Sequence, residues 1–439
     1  EFDGRNSLGA EFSYLHLNTQ TTTGTSTDMT SGSVTNTASR YAGGNAANGY
    51  EGTFNYVRKI DTLGSTFKVL GDYARREATS RNDNFSRMLS EGLPSVDSTY
   101  RDHTDNSFEV AALTLALDKK FSPKWSLQTG AKYTRNHTCN NSLYQYLKEE
   151  EWVRNDDQSL RVDYTEHIAA AYGVVTAKLG RWGVTAGLRG EYTRTDGRRN
   201  GVEQNYFSLF PNANVSYSLS SDGAYSLVAQ YARTIRRPSF WTLMPNRSQI
   251  SDYTYQTGNP DLLPSYTSDV SVTAVLAHKY TLTAGISIVD DEINQDMVPD
   301  AENPDVLGIL WLNYDRTSSY YLAASLPFQL TKWWTLNLNA NYVYNGMRLS
   351  SHGSIRYHHY LFANAQTTFT LPGKVYLDLS YRYNNRLYLG SCWVDAMHFL
   401  NASIKKSFFG DRLTCTFSAY NLPNREQTLG ERADDSVRH

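Results

Sequence analysis

Along most of the chain, apolar and polar residues alternate with a period of two. In WGVTAGLRGEYT, Trp182, Val184, Ala186, Leu188 and Tyr192 fall on one face, and Thr185, Arg189, Glu191 and Thr193 on the other. That is the pattern of a strand with one apolar and one wet side. WTLNLNANYVY sets Trp334, Leu336, Leu338, Ala340, Tyr342 and Tyr344 opposite Asn337, Asn339 and Asn341. KVYLDLSYRYN sets Val375, Leu377, Leu379, Tyr381 and Tyr383 against Asp378, Ser380 and Arg382. WSLQTGAKYT and RLTCTFSAY repeat the pattern. These runs outlast a mean globular strand of ~5 to 6 residues.

The connections alternate between short and long. Short turns fall at 61–65, 122–124, 180–183, 220–223, 278–279, 331–333, 371–374 and 409–411, each with the Gly, Pro, Asp, Ser or charge that a tight reversal uses. Longer polar connections fall near 18–49, 78–104, 138–160, 237–264 and 292–306, and shorter ones near 196–206, 349–354 and 390–394. Short turns at one rim and long loops at the other define an up-and-down antiparallel β-barrel that crosses a membrane. The segments between them make 17 strands, beginning near residues 5, 50, 66, 105, 124, 161, 182, 207, 224, 265, 280, 306, 333, 355, 374, 395 and 411. Single-chain bacterial barrels have even counts, so the expectation is a partial wall, cut at both ends. Trp125, Trp182, Tyr225, Tyr280, Trp333, Trp334, Tyr376, Phe408 and Phe409 recur beside the short turns as a candidate interfacial girdle.

Composition agrees with a barrel and excludes several other classes. The 439 residues are 13% aromatic, with 32 Tyr against 17 Phe and 8 Trp. Mean hydropathy is −0.53, and no apolar run approaches the length a helix needs to cross a bilayer. A barrel stays polar on average because only half its wall faces lipid. A net charge of −2 supplies no basic field for nucleic acid. No metalloprotease, nucleophile-elbow, phosphate-loop or calcium-loop pattern occurs, so no catalytic residue, metal ligand or cofactor is expected. The one histidine pair, His358–His359, points to opposite faces of a strand and cannot share a metal. The acidic stretches 149–157 and 290–296 are read as solvated loops rather than calcium sites. Cys139 and Cys392 fall in connections on the same side, so one bridge between them is topologically open, against the plainer reading of free thiols.

Residues 206–272 carry a more specific signal: Phe210-Pro211, Tyr231-x-Arg233 running into Arg237-Pro238-Ser239, Leu243-x-Pro245, and Gly258-Asn259-Pro260 with Leu262 and Pro264. The segment resembles the barrel of TonB-dependent outer-membrane receptors, in the version common in Bacteroidetes. Each motif residue also has a structural reading. Pro238 ends a ladder, Gly258 is free to take positive φ, and Pro260 fixes a turn that re-enters the wall. Arg237 and Asn259 are read with them as scaffold. Ser265 departs from the family, which usually has an acidic residue there.

The resemblance implies a 22-stranded barrel with a plug and an energy-coupling segment, neither of them in these residues. On this reading residues 1–425 are barrel and 426–439 a polar tail. Ligand contacts would come from the richest outer loop, through Trp241, Arg247, Tyr253 and Tyr255, whose aromatic faces and guanidinium suit a polar nutrient or anionic chelate. The plainer reading is that these residues pack the loops together or form the outer girdle. Implied partners are outer-membrane lipid, an inner-membrane TonB complex acting through the plug, a small nutrient and a surface lipoprotein. A passive porin or adhesin is the second reading, and a secreted all-β binding protein the third.

Overall fold

The computed structural model describes residues 4–31, 33–90, 95–156, 158–197, 202–245, 247–251, 254–300, 303, 306–348, 352–389, 392–422 and 429–431. Among these, 17 strands form one antiparallel wall in chain order, each pairing with the next, from Asn6–Ser31 to Leu413–Ala419. The short strand Glu151–Arg154 joins the same sheet by folding back on Trp125–Lys148. Strands expected near 66, 124, 182, 265, 280 and 333 begin at Thr66, Trp125, Trp182, Ser265, Tyr280 and Trp334.

The strand expected near 306 is a correction. Leu307–Tyr314 pairs antiparallel with Glu292–Pro299 and parallel with Thr254–Thr257, in a separate four-stranded sheet that also holds Ser248–Ser251. The wall resumes at Thr317–Thr331. LGILWLNY is apolar because Trp311 packs against a core built by the loops, not because it faces lipid.

The first long connections are also shorter than expected, because the strands run on through polar sequence. Asn6–Ser31 stays in register with Ser33–Lys59 from Asn6↔Arg58 to Ser31↔Ser33. A strand of 27 residues is about 90 Å long at ~3.3 Å per residue, whereas ~10 residues cross a bilayer. Beyond the lipid the ladder needs only backbone, so Thr, Ser, Asn and Gly suffice and the apolar alternation fades.

Pairing registers carry the two faces around the wall. Leu188, Leu209, Val270, Leu282, Leu322 and Ile404 are exposed apolar residues on the outward face. Glu191, Thr193, Ser208 and Ser271 are buried on the inward face. At the short-turn rim Trp182 packs on Tyr217, Tyr280 on Phe328, and Trp334 on Phe369, as an outward girdle. Tyr376 does not belong to it. It alternates onto the face of Asp378 and Arg382, with the Lys405 ammonium over its ring. The turns themselves use the left-handed region, as at Gly180 (φ 64°) and Gly373 (φ 77°).

Cys139 is a free, half-buried thiol on Trp125–Lys148, so no bridge to Cys392 forms. Cys392–Val394 instead pairs with Leu387–Leu389 and with Leu429–Glu431 in a small third sheet. His358 stacks on Tyr388 while His359 contacts Tyr342 and Tyr344, on opposite faces as the period requires.

Candidate functional site: the outer mouth

The motif between residues 231 and 264 folds inward at the long-loop rim. The strand Ser226–Arg236 stops before Pro238, which has no N–H to donate. Ser239 then caps the single helical turn Phe240–Leu243, accepting from the Thr242 N–H. The GNP turn docks on this turn backbone to backbone: Gly258 N–H donates to Met244 O at 2.8 Å and Asn259 N–H to Thr242 O at 2.7 Å. A Cβ on Gly258 would stand 2.3 Å from Met244 O. Close approach is therefore what requires glycine. Gly258 does not take the positive φ expected from the sequence, because the turn is held by that docking. Asn259 completes the joint, donating through Nδ2 to Trp311 O at 3.0 Å and accepting from Asp261 N–H at 2.9 Å. Pro260 stands within this joint.

Beneath it lies a compact apolar core. Leu243, Met244 and Leu262 are at most 1% exposed, and pack with Phe240, Ile293 and the inward-facing Val162, Tyr164 and Val202. Arg237 ties the same segment to the wall. Its guanidinium meets the Glu191 carboxylate and reaches Thr193 Oγ1 at 3.2 Å, while Arg189 Nε donates to the other Glu191 oxygen at 2.5 Å. A carboxylate held between two guanidiniums keeps its charge in a half-dry site. The loop is thereby seated on the inner wall, across part of the mouth.

The four residues expected to meet a ligand separate. Arg247 lies over the Tyr255 ring at 3.7 Å and pairs with Asp300 at 3.3 Å. Burial, and then the neighbouring Asp300 carboxylate, push the Tyr255 phenol up. Trp241 stands in another contact set, edge-on to Phe240 at 5.0 Å and near Phe108 at 6.4 Å, and is 51% exposed. Tyr253 lies outside the described residues. Asp300, Trp311 and Asn313 were missed from the sequence. Asn313 accepts from Leu263 N–H and donates to Leu263 O. A pairing across 50 residues of chain leaves no local pattern to read.

Lower on the inner wall, the Tyr321 hydroxyl donates to Asp269 Oδ1 at 3.0 Å, with its ring laid over Gly285. Beside it opens a recess of about 710 Å³ lined by Asn339, Asn341, Phe362, Asn364 and Arg382. Asn341, Asn364 and Arg382 have no side-chain partner among the described residues. The recess offers neutral amide donors and acceptors beside one aromatic face and one cation.

An antiparallel up-and-down wall with an outward apolar band, a rim girdle and a wet inner face is that of a transmembrane β-barrel. The chain belongs to the outer membrane protein β-barrel family, whose model matches residues 58–436, and its place is the bacterial outer membrane. Among solved structures it is similar to the copper transporter OprC, at 14% identity and a TM-score of 0.58, over 96% of this chain and 75% of that one. It is also similar to the siderophore receptor PiuA from Acinetobacter baumannii, at 10% identity and a TM-score of 0.52, over 97% and 78% of the two chains. A mutant of the ferric enterobactin receptor PfeA from Pseudomonas aeruginosa, in complex with enterobactin, shares 9% identity at a TM-score of 0.51, over 96% and 76%. At these identities the likeness is one of fold, and the receptor-barrel resemblance carried by the motif is met in that fold. No curated protein matches the sequence.

Proposed function

We propose that this chain is the barrel of a TonB-dependent receptor that takes up a scarce nutrient, such as a ferric siderophore, a cofactor, a glycan or a peptide, and that it is not an enzyme. The observation that carries the reading is the motif core at the outer mouth. A loop segment fixed to the inner wall around its own apolar core supplies the rigid outer surface on which a receptor holds a ligand. The wet inner wall, with its amide-lined recess, suits a polar cargo. Energy would arrive from the inner-membrane TonB complex through a plug.

Trp241 is the proposed first contact, since half its surface is free while its ring is held in place by Phe240. Arg247 and Tyr255 are satisfied by Asp300 and by each other, and support the loop beside it. The test is planar-bilayer conductance of the full-length protein. A receptor stays silent at steady voltage, and a persistent open-pore conductance would favour the passive barrel instead.

A further inference from the structure

On the outward face of the wall, three tyrosine–histidine pairs recur in one register. Tyr133 meets His167 Nδ1 at 2.7 Å, Tyr342 meets His359 Nδ1 at 2.5 Å, and Tyr381 meets His398 Nδ1 at 2.6 Å. Each histidine stands two residues from its tyrosine's direct cross-strand partner, which is Ala169, Leu361 or Leu400. Each pair bridges two strands joined at the long-loop rim. The tyrosines lie eight residues beyond Trp125 and Trp334 and six beyond Val375, where their strands begin at the short-turn rim. Six to eight residues is about 20 to 26 Å of strand, or about 15 to 20 Å of depth at a tilt of ~40°. The girdle of Trp182, Tyr280 and Trp334 marks one interface, and these pairs fall at the other, above outward-facing Leu127, Leu336, Leu338, Leu377 and Leu379.

Tyrosine alone would mark an interface. Histidine adds a second polar ring atom, and among the described residues no protein group meets Nε2 of His167, His359 or His398. Where the tyrosine hydroxyl donates to Nδ1, the neutral ring carries its hydrogen on Nε2, and the protonated ring carries one there too. An N–H donor turned toward the bilayer with no acceptor is costly, and at the interface the phosphate oxygens of lipid headgroups are acceptors within its reach. His167 is also flanked in register by Arg135 and Arg194. Arg135 is paired with Glu109 at 2.8 Å, but exposed Arg194 has no partner among the described residues.

We propose that these Tyr–His pairs form a headgroup-binding girdle for phosphorylated lipid of the outer leaflet, with Tyr133, His167 and Arg194 as its strongest site. The test uses the full-length protein in detergent micelles doped with lipid A, with enzymatically dephosphorylated lipid A, or with lipid A plus inorganic phosphate. Bound lipid is counted by native mass spectrometry. The doubly substituted protein His167→Phe with Arg194→Gln should retain at least three-fold less lipid A, the dephosphorylated lipid should bind the wild type correspondingly less, and inorganic phosphate should not displace lipid A. Arg194→Gln alone, and Tyr133→Phe alone, serve if the double variant does not fold, and each should lower retention in the same direction. Unchanged retention in folded variants, equal retention of the dephosphorylated lipid, or full displacement by inorganic phosphate would each overturn the proposal.

Discussion

Gly258 and Arg237 show how a motif can be legible while its reason is not. The sequence places a glycine before Asn259-Pro260, and a turn glycine suggests positive φ. The structure gives it a different task, since Met244 O lies where a side chain would begin. Gly258→Ala should therefore loosen the mouth by about 1 to 3 kcal/mol through overpacking. Limited proteolysis between residues 237 and 264 should speed up roughly ten-fold, which corresponds to ~1.4 kcal/mol. An unchanged cleavage rate would show that the joint yields easily. Arg237→Lys should fail to restore what Arg237→Ala removes, because Glu191 and Thr193 are met by a planar fork and not by a point charge. The same proteolysis assay separates the two substitutions. Tyr376 carries a related lesson: an aromatic beside a short turn looks like girdle, but alternation counted from Asp378 turns it inward.

At the scale of elements, the wall strands were legible wherever one face meets lipid, because lipid enforces strict alternation on one side only. Two kinds of element were not. Polar ladders such as residues 33–49 continue strands beyond the lipid without any apolar period, and so read as loops. Leu307–Tyr314 has the composition of a wall strand but serves the loop sheet. The Tyr–His pairs were equally hidden, since each depends on a diagonal across two strands whose register no single segment reveals. The loop sheet also has its own pH signature. Burial holds the carboxyls of Glu292 and Asp296 above their ordinary range. The folded sheet thus binds protons more tightly than the open one, and its stability is greatest below the ordinary carboxylate pKa and declines as the pH rises through the raised values. Hydrogen-exchange protection of residues 292–299, corrected for intrinsic rates, should fall from acid toward neutral pH, and Glu292→Gln should flatten that dependence. Protection that rises over this range would contradict the assignment of buried carboxyls.

For the whole molecule, two features matter most: which face of the wall meets lipid, and what narrows the mouth. The first is tested by adjacent residues on opposite faces. Leu338→Arg, outward and near mid-depth, should cost about 2 to 4 kcal/mol of barrel stability, and Asn339→Arg, turned into the wet interior, should cost little. Urea unfolding in lipid vesicles followed by heat-modifiable gel migration reads both, and equal costs would refute the faces. The second joins the structure to the proposed function, in which the receptor needs energy to pass its cargo inward. The most direct measurement is accumulation of radiolabelled ferric siderophores, cobalamin, oligosaccharides and peptides by cells expressing the full-length protein, with and without a protonophore. At least one of these should be concentrated by the cells, and accumulation should collapse when the proton gradient is removed. Uptake that proceeds unchanged without the gradient would contradict the proposed function.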